Sequence, residues 1–313
     1  MNSAPTASVC IVTFNSGSDI ASCLQAVLRL SYPIEKIVVL DNASSDDSCT
    51  VVRSFGEAVL LVENKNNVGF AQGQNQAIAC TSSDYVLVLN PDVVLEPDYL
   101  SILIEAMERD KQIGSAIGQL LLGADPSIID STGIEMGAVR RAWDRGGGEP
   151  ASMWNTSGEI FGVTAAAAVY ARRMIEDVKL NGQFFDASYF AYKEDVDVAW
   201  RARRLGWKAY YRAEAKALHQ RGWKYEGRKS RKQIPLFLRR HSYQNRIFTI
   251  IKNEPSGWPL FVNAYRLAGY ELLQIGYLAL FEPSLLTCWL TIFKEWPRFL
   301  KKRRLLKLKI AGR

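Results

Sequence analysis

The first hundred residues alternate between short β-branched apolar runs and segments with helical spacing. No other feature constrains the fold as much. Residues 8–14 (SVCIVTF), 36–40 (KIVVL), 58–62 and 85–89 (YVLVL) have strand character. Helical spacing follows each: 18–30, with Ile20, Leu24, Val27 and Leu28 on one side, then a segment after 44, then 70–80, then 97–109. Ser44 or Ser45 is placed to cap the second helix, with Asp46 and Asp47 favourable in its first turn. Pro97 suits the start of the fourth. Runs apolar on both faces and separated by helices predict an α/β fold, a mostly parallel sheet covered by helices.

From about 123 to 158 the pattern dissolves into Gly and polar residues, read as loops and short strands with Gly146–Gly148 a mobile tip. Regular structure returns at 160–170, in a helix over about 195–205, and in the strand-like KAYYRAEAKAL. After Asn253 the composition shifts to Trp, Leu, Ile and Tyr. This suggests a domain over 1–253 and a helical, basic extension over 254–313. The chain has 313 residues, 48% hydrophobic and 23% charged, which suits a globular protein. Its five cysteines (Cys10, Cys23, Cys49, Cys80, Cys288) form no CxxC pair and read as free thiols in a reducing compartment. The start shows no basic segment followed by an apolar core, so a cytoplasmic location is expected.

The net charge is +7, but residues 294–313 alone hold nine Lys/Arg against one Glu. The rest of the chain is close to neutral, and no nucleic-acid-binding domain is implied. This tail alternates basic and apolar groups, with Leu305, Leu306, Leu308 and Ile310 available for insertion and Trp296 and Phe299 for an interface. Two readings are open: a segment lying on an anionic membrane surface, which makes the protein peripheral, or a helical extension or subunit contact. Arg266, Glu271 and Glu282 interrupt the apolar stretch before the tail, which argues against a spanning helix.

In open α/β sheets, ligands bind beyond the carboxyl ends of the strands. Polar residues collect there: Thr13 and Asn15, Asp41 and Asn42, Asn64 and Asn67, Asn90 and Asp92. The first strand is followed by NSGSD and not by G-x-G-x-x-G, which weighs against NAD or FAD; a Walker A motif is also lacking.

Five stretches occur in order: VCIVTFNS, VVLDNASSDDS, NKNNVGFAQGQNQAI, YVLVLNPDVVL and YKEDVDVAWRARRLGW. Together, over roughly residues 8–253, they resemble the signature series of family 2 inverting glycosyltransferases. Within that family the NPD and EDVD forms are similar to rhamnosyltransferase-like members. The resemblance implies a GT-A (Rossmann-like) fold and transfer of a sugar from a nucleotide diphosphate donor with inversion. It also implies help from a divalent metal, Mg²⁺ or Mn²⁺. The partners implied are a dTDP- or UDP-sugar and a cell-surface glycan or lipid-linked acceptor.

Thr13, Asn15, Asp41, Asn67, Asn90 and Asp92 are then candidate donor-binding residues. An ionised Asp41 accepts hydrogen bonds only, so it suits an imide N–H or ribose hydroxyls, and the family places the base there. An Asx turn opening the next helix is the other reading. Asp92 is the candidate metal ligand, since a leaving diphosphate needs a hard cation with oxygen ligands; otherwise it is a turn residue. The family's usual motif is Asp-x-Asp, and Asn90 stands at its first position, facing metal or ribose. By order and spacing His219 matches the histidine that completes the family's metal site, against a structural histidine.

Glu194 and Asp195 are the candidate catalytic pair. Adjacent acids point about 100° apart on a helix, so they cannot do the same job. The family gives the base role to the position of Asp195. Asp197 and Arg201, four apart, read as a surface helix pair. His241 is read as structural or phosphate-facing, and Arg221 and Lys224 as cations for the diphosphate. A sugar nucleotidyltransferase and a non-catalytic glycan-binding scaffold are the competing readings. The sequence leaves the sugar, the acceptor and the oligomeric state open.

Overall fold

The computed structural model describes residues 4–220, 234–255 and 257–313, and it leaves out the side chains of 258–263. Arg221 and Lys224 lie outside the described residues. In chain order the elements are β1 (Ala7–Thr13), α1 (Gly17–Leu28), β2 (Lys36–Asp41), α2 (Ser48–Arg53), β3 (Leu60–Glu63), α3 (Phe70–Ala79), β4 (Tyr85–Leu89), β5 (Val93–Leu95) and α4 (Tyr99–Arg109). Then come β6 (Ile113–Leu122), β7 (Asp125–Ser131), β8 (Ile134–Met136), β9 (Ala142–Asp144), β10 (Gly158–Ile160), β11 (Ala167–Ala171) and α5 (Arg172–Val178). The chain continues through α6 (Glu194–Arg204), β12 (Lys208–His219), α7 (Leu236–Asn253), α8 (Trp258–Phe281) and α9 (Cys288–Ala311).

The main sheet runs in the order β10-β12-β6-β11-β4-β1-β2-β3. From the pairings, β3, β2, β1, β4, β6 and β12 point one way, and only β10 and β11 oppose them on this path. β1 and β4 are buried along their whole length, which is why they read as unbroken apolar runs. The parallel ladder continues past the strands: Asn42 N–H donates to the Thr13 carbonyl and Asn64 N–H to that of Asp41, each at 2.9 Å. The polar strand ends are thereby held level on one edge.

Three local expectations are corrected. The second helix starts at Ser48, not near Ser44, because Ser44 and Ser45 are drawn elsewhere. Their N–H groups donate to Asp41 Oδ2 (2.9 Å) and Asn15 Oδ1 (2.8 Å). Gly146–Gly148 is no free tip: Gly148 N–H donates to the Ile129 carbonyl at 2.9 Å, and the Arg145 guanidinium lies 4.3 Å over the Trp154 ring. The pair Asp197–Arg201 is not on the surface. Their side chains are 0% and 1% exposed.

Asp197 lies at the centre of a buried charge cluster. Its Oδ2 accepts from Arg201 Nε (3.0 Å) and Lys252 Nζ (2.8 Å), and its Oδ1 from Asn253 Nδ2 (2.8 Å). Lys252 also reaches Asp186 (2.8 Å), which in turn takes Lys302 of α9 at 2.6 Å. Burial pushes the Asp186 carboxyl up, but Lys252 and Lys302 outweigh it and hold it well below the usual carboxylate range.

The C-terminal helices therefore pack onto the sheet domain. Phe299 stacks on Phe248 of α7 with centroids 4.1 Å apart, in a cluster that also holds Tyr189. Leu306 joins the main core, with Leu305 and Ile310 packed against it. This corrects the reading of the tail. Phe299, Leu305, Leu306 and Ile310 face protein, and of the six apolar residues singled out only Trp296 and Leu308 are exposed. Among the described residues no helix is long and apolar enough to cross a membrane.

Removing one partner of a buried ion set strands the others, at a cost of about 3–5 kcal/mol. Asp197→Ala should lower unfolding free energy by about that amount, whereas Lys301→Ala, on the exposed side of α9, should change it by less than about 0.5 kcal/mol. Urea denaturation of both variants is the check.

Candidate active site

The site is built at the carboxyl edge of β1, β2 and β4. Thr13 is fully buried, and its Oγ1 has no hydrogen-bond partner among the described residues. Asp41 is 2% exposed. One oxygen closes the turn to Ser44, and the other, Oδ1, is buried without a hydrogen-bond partner. The thiol of Cys49 lies close by; burial first, then Asp41, pushes it up to about 12. Asp41 therefore makes the Asx turn and keeps one oxygen without a hydrogen-bond partner among the described residues. Asn15 is differently placed, since its side-chain carbonyl accepts from Ser45 and so shapes the loop. Asn67 Oδ1 accepts from Gly69 N–H (2.9 Å) and orders the turn into α3. The Asn90 side chain has no hydrogen-bond partner among the described residues.

After Asn90 the chain reverses into β5, which pairs antiparallel with the end of β12, Val93 opposite His219. That pairing brings Asp92 to His219: Asp92 Oδ1 lies 3.3 Å from Nε2. On the other side, Nδ1 lies 2.7 Å from Oδ2 of Asp130. Asp130 sits in β7, inside the stretch 123–158 that the sequence reads only as loops and short strands. A carboxylate closing the apolar run SII was the available signal. Burial pulls the His219 imidazole down, but the bonds to Asp130 and Asp92 outweigh it and lift it to about 9.

The donor set fits a hard divalent cation. His219 Nε2 and Asp92 Oδ1 converge, and Asp130 fixes the ring from behind as second partners of metal-bound histidines do. Among the described residues no group of three such side chains could hold a metal. A cation here would take its other ligands from phosphate oxygens and water, the usual habit of Mg²⁺ and Mn²⁺.

Glu194 and Asp195 open α6. Asn90 N–H donates to the Ala166 carbonyl (2.8 Å), and the backbone of the adjacent Ala165 lies close enough to Asp195 to favour its charged form. The acidic pair and the end of β4 are thus neighbours through two consecutive residues. The two acids differ as their helical offset requires. Glu194 is 6% exposed with Oε2 unpartnered. Burial, then Asp195, raises its carboxyl to about 8. Asp195 is partly exposed and accepts from Val196 N–H at 2.7 Å. Its carboxyl is also raised, by burial, with Lys193 opposing.

The loop before α6 went unread in the sequence. Phe190, Tyr192 and Lys193 all have positive φ (61°, 70° and 71°), uncommon for side chains of this bulk. Asn245 of α7 holds them through its Nδ2, which donates to the carbonyls of Tyr189, Ala191 and Tyr192. His241 stacks on Phe190 with centroids 5.2 Å apart, a structural role.

Residues 8–127 match the family model described as Glycosyl transferase family 2. That segment holds Thr13, Asp41 and Asp92. Among curated relatives, the poly-β-1,6-N-acetyl-D-glucosamine synthase of Staphylococcus aureus (strain COL) is 24% identical over 208 residues, 64% of this chain and 46% of the relative. The synthase of the same name from Staphylococcus epidermidis is 22% identical over 212 residues, 66% and 47%. The chain spans about half the length of the curated relatives it matches. Among solved structures, GalNAc-T7 with UDP, GalNAc and Mn²⁺ aligns with a TM-score of 0.61 at 13% identity, over 79% of this chain and 48% of that one. The mannosyltransferase PcManGT from Pyrobaculum calidifontis, in complex with GDP-Man and Mn²⁺, aligns at 0.57 and 17%, over 99% and 87%. The architecture is the α/β GT-A fold with C-terminal helices.

Glu194 gives a pH test. Its folded-state pKa is raised, so between about 4.5 and about 8 the folded chain holds a proton that the unfolded chain releases. Stability should therefore fall as pH rises through that window, by at most about 1.4 kcal/mol per pH unit. Glu194→Gln should flatten that part of the profile, read as melting temperature against pH. An unchanged slope would mean Glu194 is ionised in the native state.

Proposed function

We propose that this chain is a glycosyltransferase that moves a sugar from a nucleoside diphosphate donor to an acceptor hydroxyl with inversion. The observation that carries the reading is the juxtaposition at one sheet edge of the Asp92–His219 pair with the Glu194–Asp195 pair. One pair suits a diphosphate, the other a proton.

Asp41 Oδ1 and Thr13 Oγ1 would receive the nucleoside, supplying the acceptors that a base N–H or ribose hydroxyl needs. Asp92 and His219 would hold Mg²⁺ or Mn²⁺, which when bound stabilises charge on the departing diphosphate. Asp195 would take the proton of the acceptor hydroxyl. As that proton leaves, the oxygen forms a bond to the anomeric carbon. The bond from that carbon to the diphosphate oxygen breaks on the opposite face, and its electron pair departs with the nucleoside diphosphate. A base with a raised pKa is suited to this transfer near neutral pH. Glu194, held neutral beside it, leaves the negative charge of the pair on Asp195.

The donor sugar is a hexose or an N-acetylhexosamine. Rhamnose rests on the NPD and EDVD forms alone, since the relatives and structures described above are named for GlcNAc, GalNAc and mannose. A growing glycan or its lipid carrier is the acceptor proposed. A thermal-shift screen of dTDP-, UDP- and GDP-sugars with and without Mn²⁺ tests the reading, because a ligand bound only to the native state raises the melting temperature. Donor hydrolysis then separates an enzyme from a glycan-binding scaffold. No shift with any donor would remove the proposal.

Asp195→Asn should retain donor binding and lower kcat by about 10²-fold or more, the scale of a lost general base. Near-normal turnover in a single-turnover assay would exclude Asp195 as base. Asp130→Asn should leave nucleotide binding in EDTA unchanged and weaken Mn²⁺ binding by about 10–100-fold, as loss of a metal ligand's supporting carboxylate does. Calorimetric titration of Mn²⁺ in the presence of UDP or dTDP checks it.

A further inference from the structure

α9 turns Cys288, Ile292, Phe299, Lys302 and Leu306 inward. At 100° per residue these share one side. The opposite side begins apolar, with Leu290, Phe293 and Leu300 exposed by 75%, 63% and 44%. It then becomes basic, with Lys301, Arg304 and Lys307 exposed. These three, and Lys294, have no acidic partner among the described residues. Of the seventeen exposed large apolar side chains among those residues, ten lie in α8 and α9. The exposed apolar surface is therefore concentrated on the C-terminal helices.

Beside this face, Asn181, Gln183, Arg298, Lys301 and Lys302 line a cavity of about 270 Å³. No carboxylate lines it. A smaller void sharing Asn181, Gln183 and Lys302 leads inward to Arg201 and Lys252. There three buried cations meet two carboxylates, Asp186 and Asp197, so one positive charge is in excess. An anion in the outer cavity would balance it, and the two amides would supply neutral donors.

The geometry points to an anionic-lipid docking site: the exposed side of α9 lies against the bilayer interface, and a lipid phosphate enters the cavity of Arg298 and Lys301. A bilayer with acidic headgroups supplies apolar depth and negative charge together. A second copy of this chain is disfavoured, because a two-fold contact through this face would set Lys301, Arg304 and Lys307 against their own copies. The inference does not depend on sugar transfer. It differs from the expectation drawn from the tail's composition in which residues it uses, since Leu306, Phe299 and Lys302 are fixed inside the fold.

The test is flotation of the full-length chain with phosphatidylcholine vesicles, with and without phosphatidylglycerol, at low and high salt. The expected result is co-flotation that requires the anionic lipid and is lost at high salt. Arg298→Glu with Lys301→Glu should weaken it about tenfold or more, and Leu290→Ser with Phe293→Ser should also weaken it. Nucleoside diphosphate binding, measured separately, should be unchanged in both variants and shows that they fold. Absence of flotation at low salt, or unchanged flotation of the charge variant, overturns the proposal. Calorimetry with inorganic phosphate separates the sources of the anion: saturable phosphate binding that the charge variant loses, without vesicle binding, would assign the cavity to a free anion instead. Loss of self-association in the apolar variant with unchanged flotation would make the face a contact between copies, and would overturn the proposal as well.

Discussion

The rotation of α6 about its own axis decides which acid is buried and which is left partly exposed, and a buried carboxylate sets that rotation. Asp197 accepts from Arg201 on its own helix and from Lys252 and Asn253 on α7. Arg201 in turn donates to the carbonyls of Val178 and Phe184, so the loop before the helix is tied to the same point. Lys252 and Lys302 share Asp186. Ion sets of this kind do little for stability against apolar packing of the same volume, but breaking them is costly. They tolerate one arrangement and no slippage. With Asp197 pinned inward, Glu194 is buried three residues earlier and Asp195, offset from both, is left partly exposed.

The same helices constrain the backbone leading into α6. Three bulky residues at positive φ within four positions store strain of order 1–3 kcal/mol each. They persist because Asn245 Nδ2 donates to the carbonyls of Tyr189, Ala191 and Tyr192, and Ala71 N–H donates to the Phe190 carbonyl at 3.1 Å. Gly69, which follows the turn made by Asn67, approaches Phe190 so closely that a Cβ would sit 2.6 Å from its carbonyl oxygen. The Asn67–Gly69 turn and the loop leading to Glu194 and Asp195 are therefore in direct contact. Helices α7 and α9 hold the site's geometry, although by sequence most of their length looked like an appendage.

What could be read from the sequence follows from how local each signal is. The first four strands and their helices were visible because burial on both faces leaves unbroken apolar runs, and Thr13, Asp41 and Asp92 were visible as polar residues closing them. His219 was reachable by order along the chain, but its contact with Asp92 depends on the β5–β12 pairing across more than a hundred residues. Asp130 and Asn245 were missed because each acts through a distant partner and stands in no periodic pattern. Asp197 was misread for a related reason. An i,i+4 acid–base pair looks the same on a solvated helix and in a core, and only Lys252 and Asn253 distinguish them. In the tail, alternating charge and leucine gave the helix but not its rotation. The rotation depends on Lys302 finding Asp186.

The division of labour between Glu194 and Asp195 follows from electrostatics once the helix is fixed. Two adjacent carboxylates at low exposure cannot both ionise without strong repulsion. The Glu194 carboxyl is 6% exposed and has an oxygen without a partner, so burial and Asp195 outweigh the support its charge gets from the backbone and Lys193. Its neighbour Tyr170 is buried and its hydroxyl is equally unpartnered, and burial first, then Asp195 and Glu194, pushes that hydroxyl well above its ordinary value. A neutral acid beside a neutral phenol is the low-energy state of that pocket. Asp195 has the Val196 N–H and the nearby Lys193 to support a charge. The environment therefore places the ionised form on the residue with access to solvent and keeps a proton on the other. A carboxylate that is charged, partly exposed and raised in pKa suits the base role proposed for Asp195. One residue of helical offset is enough to separate the two environments.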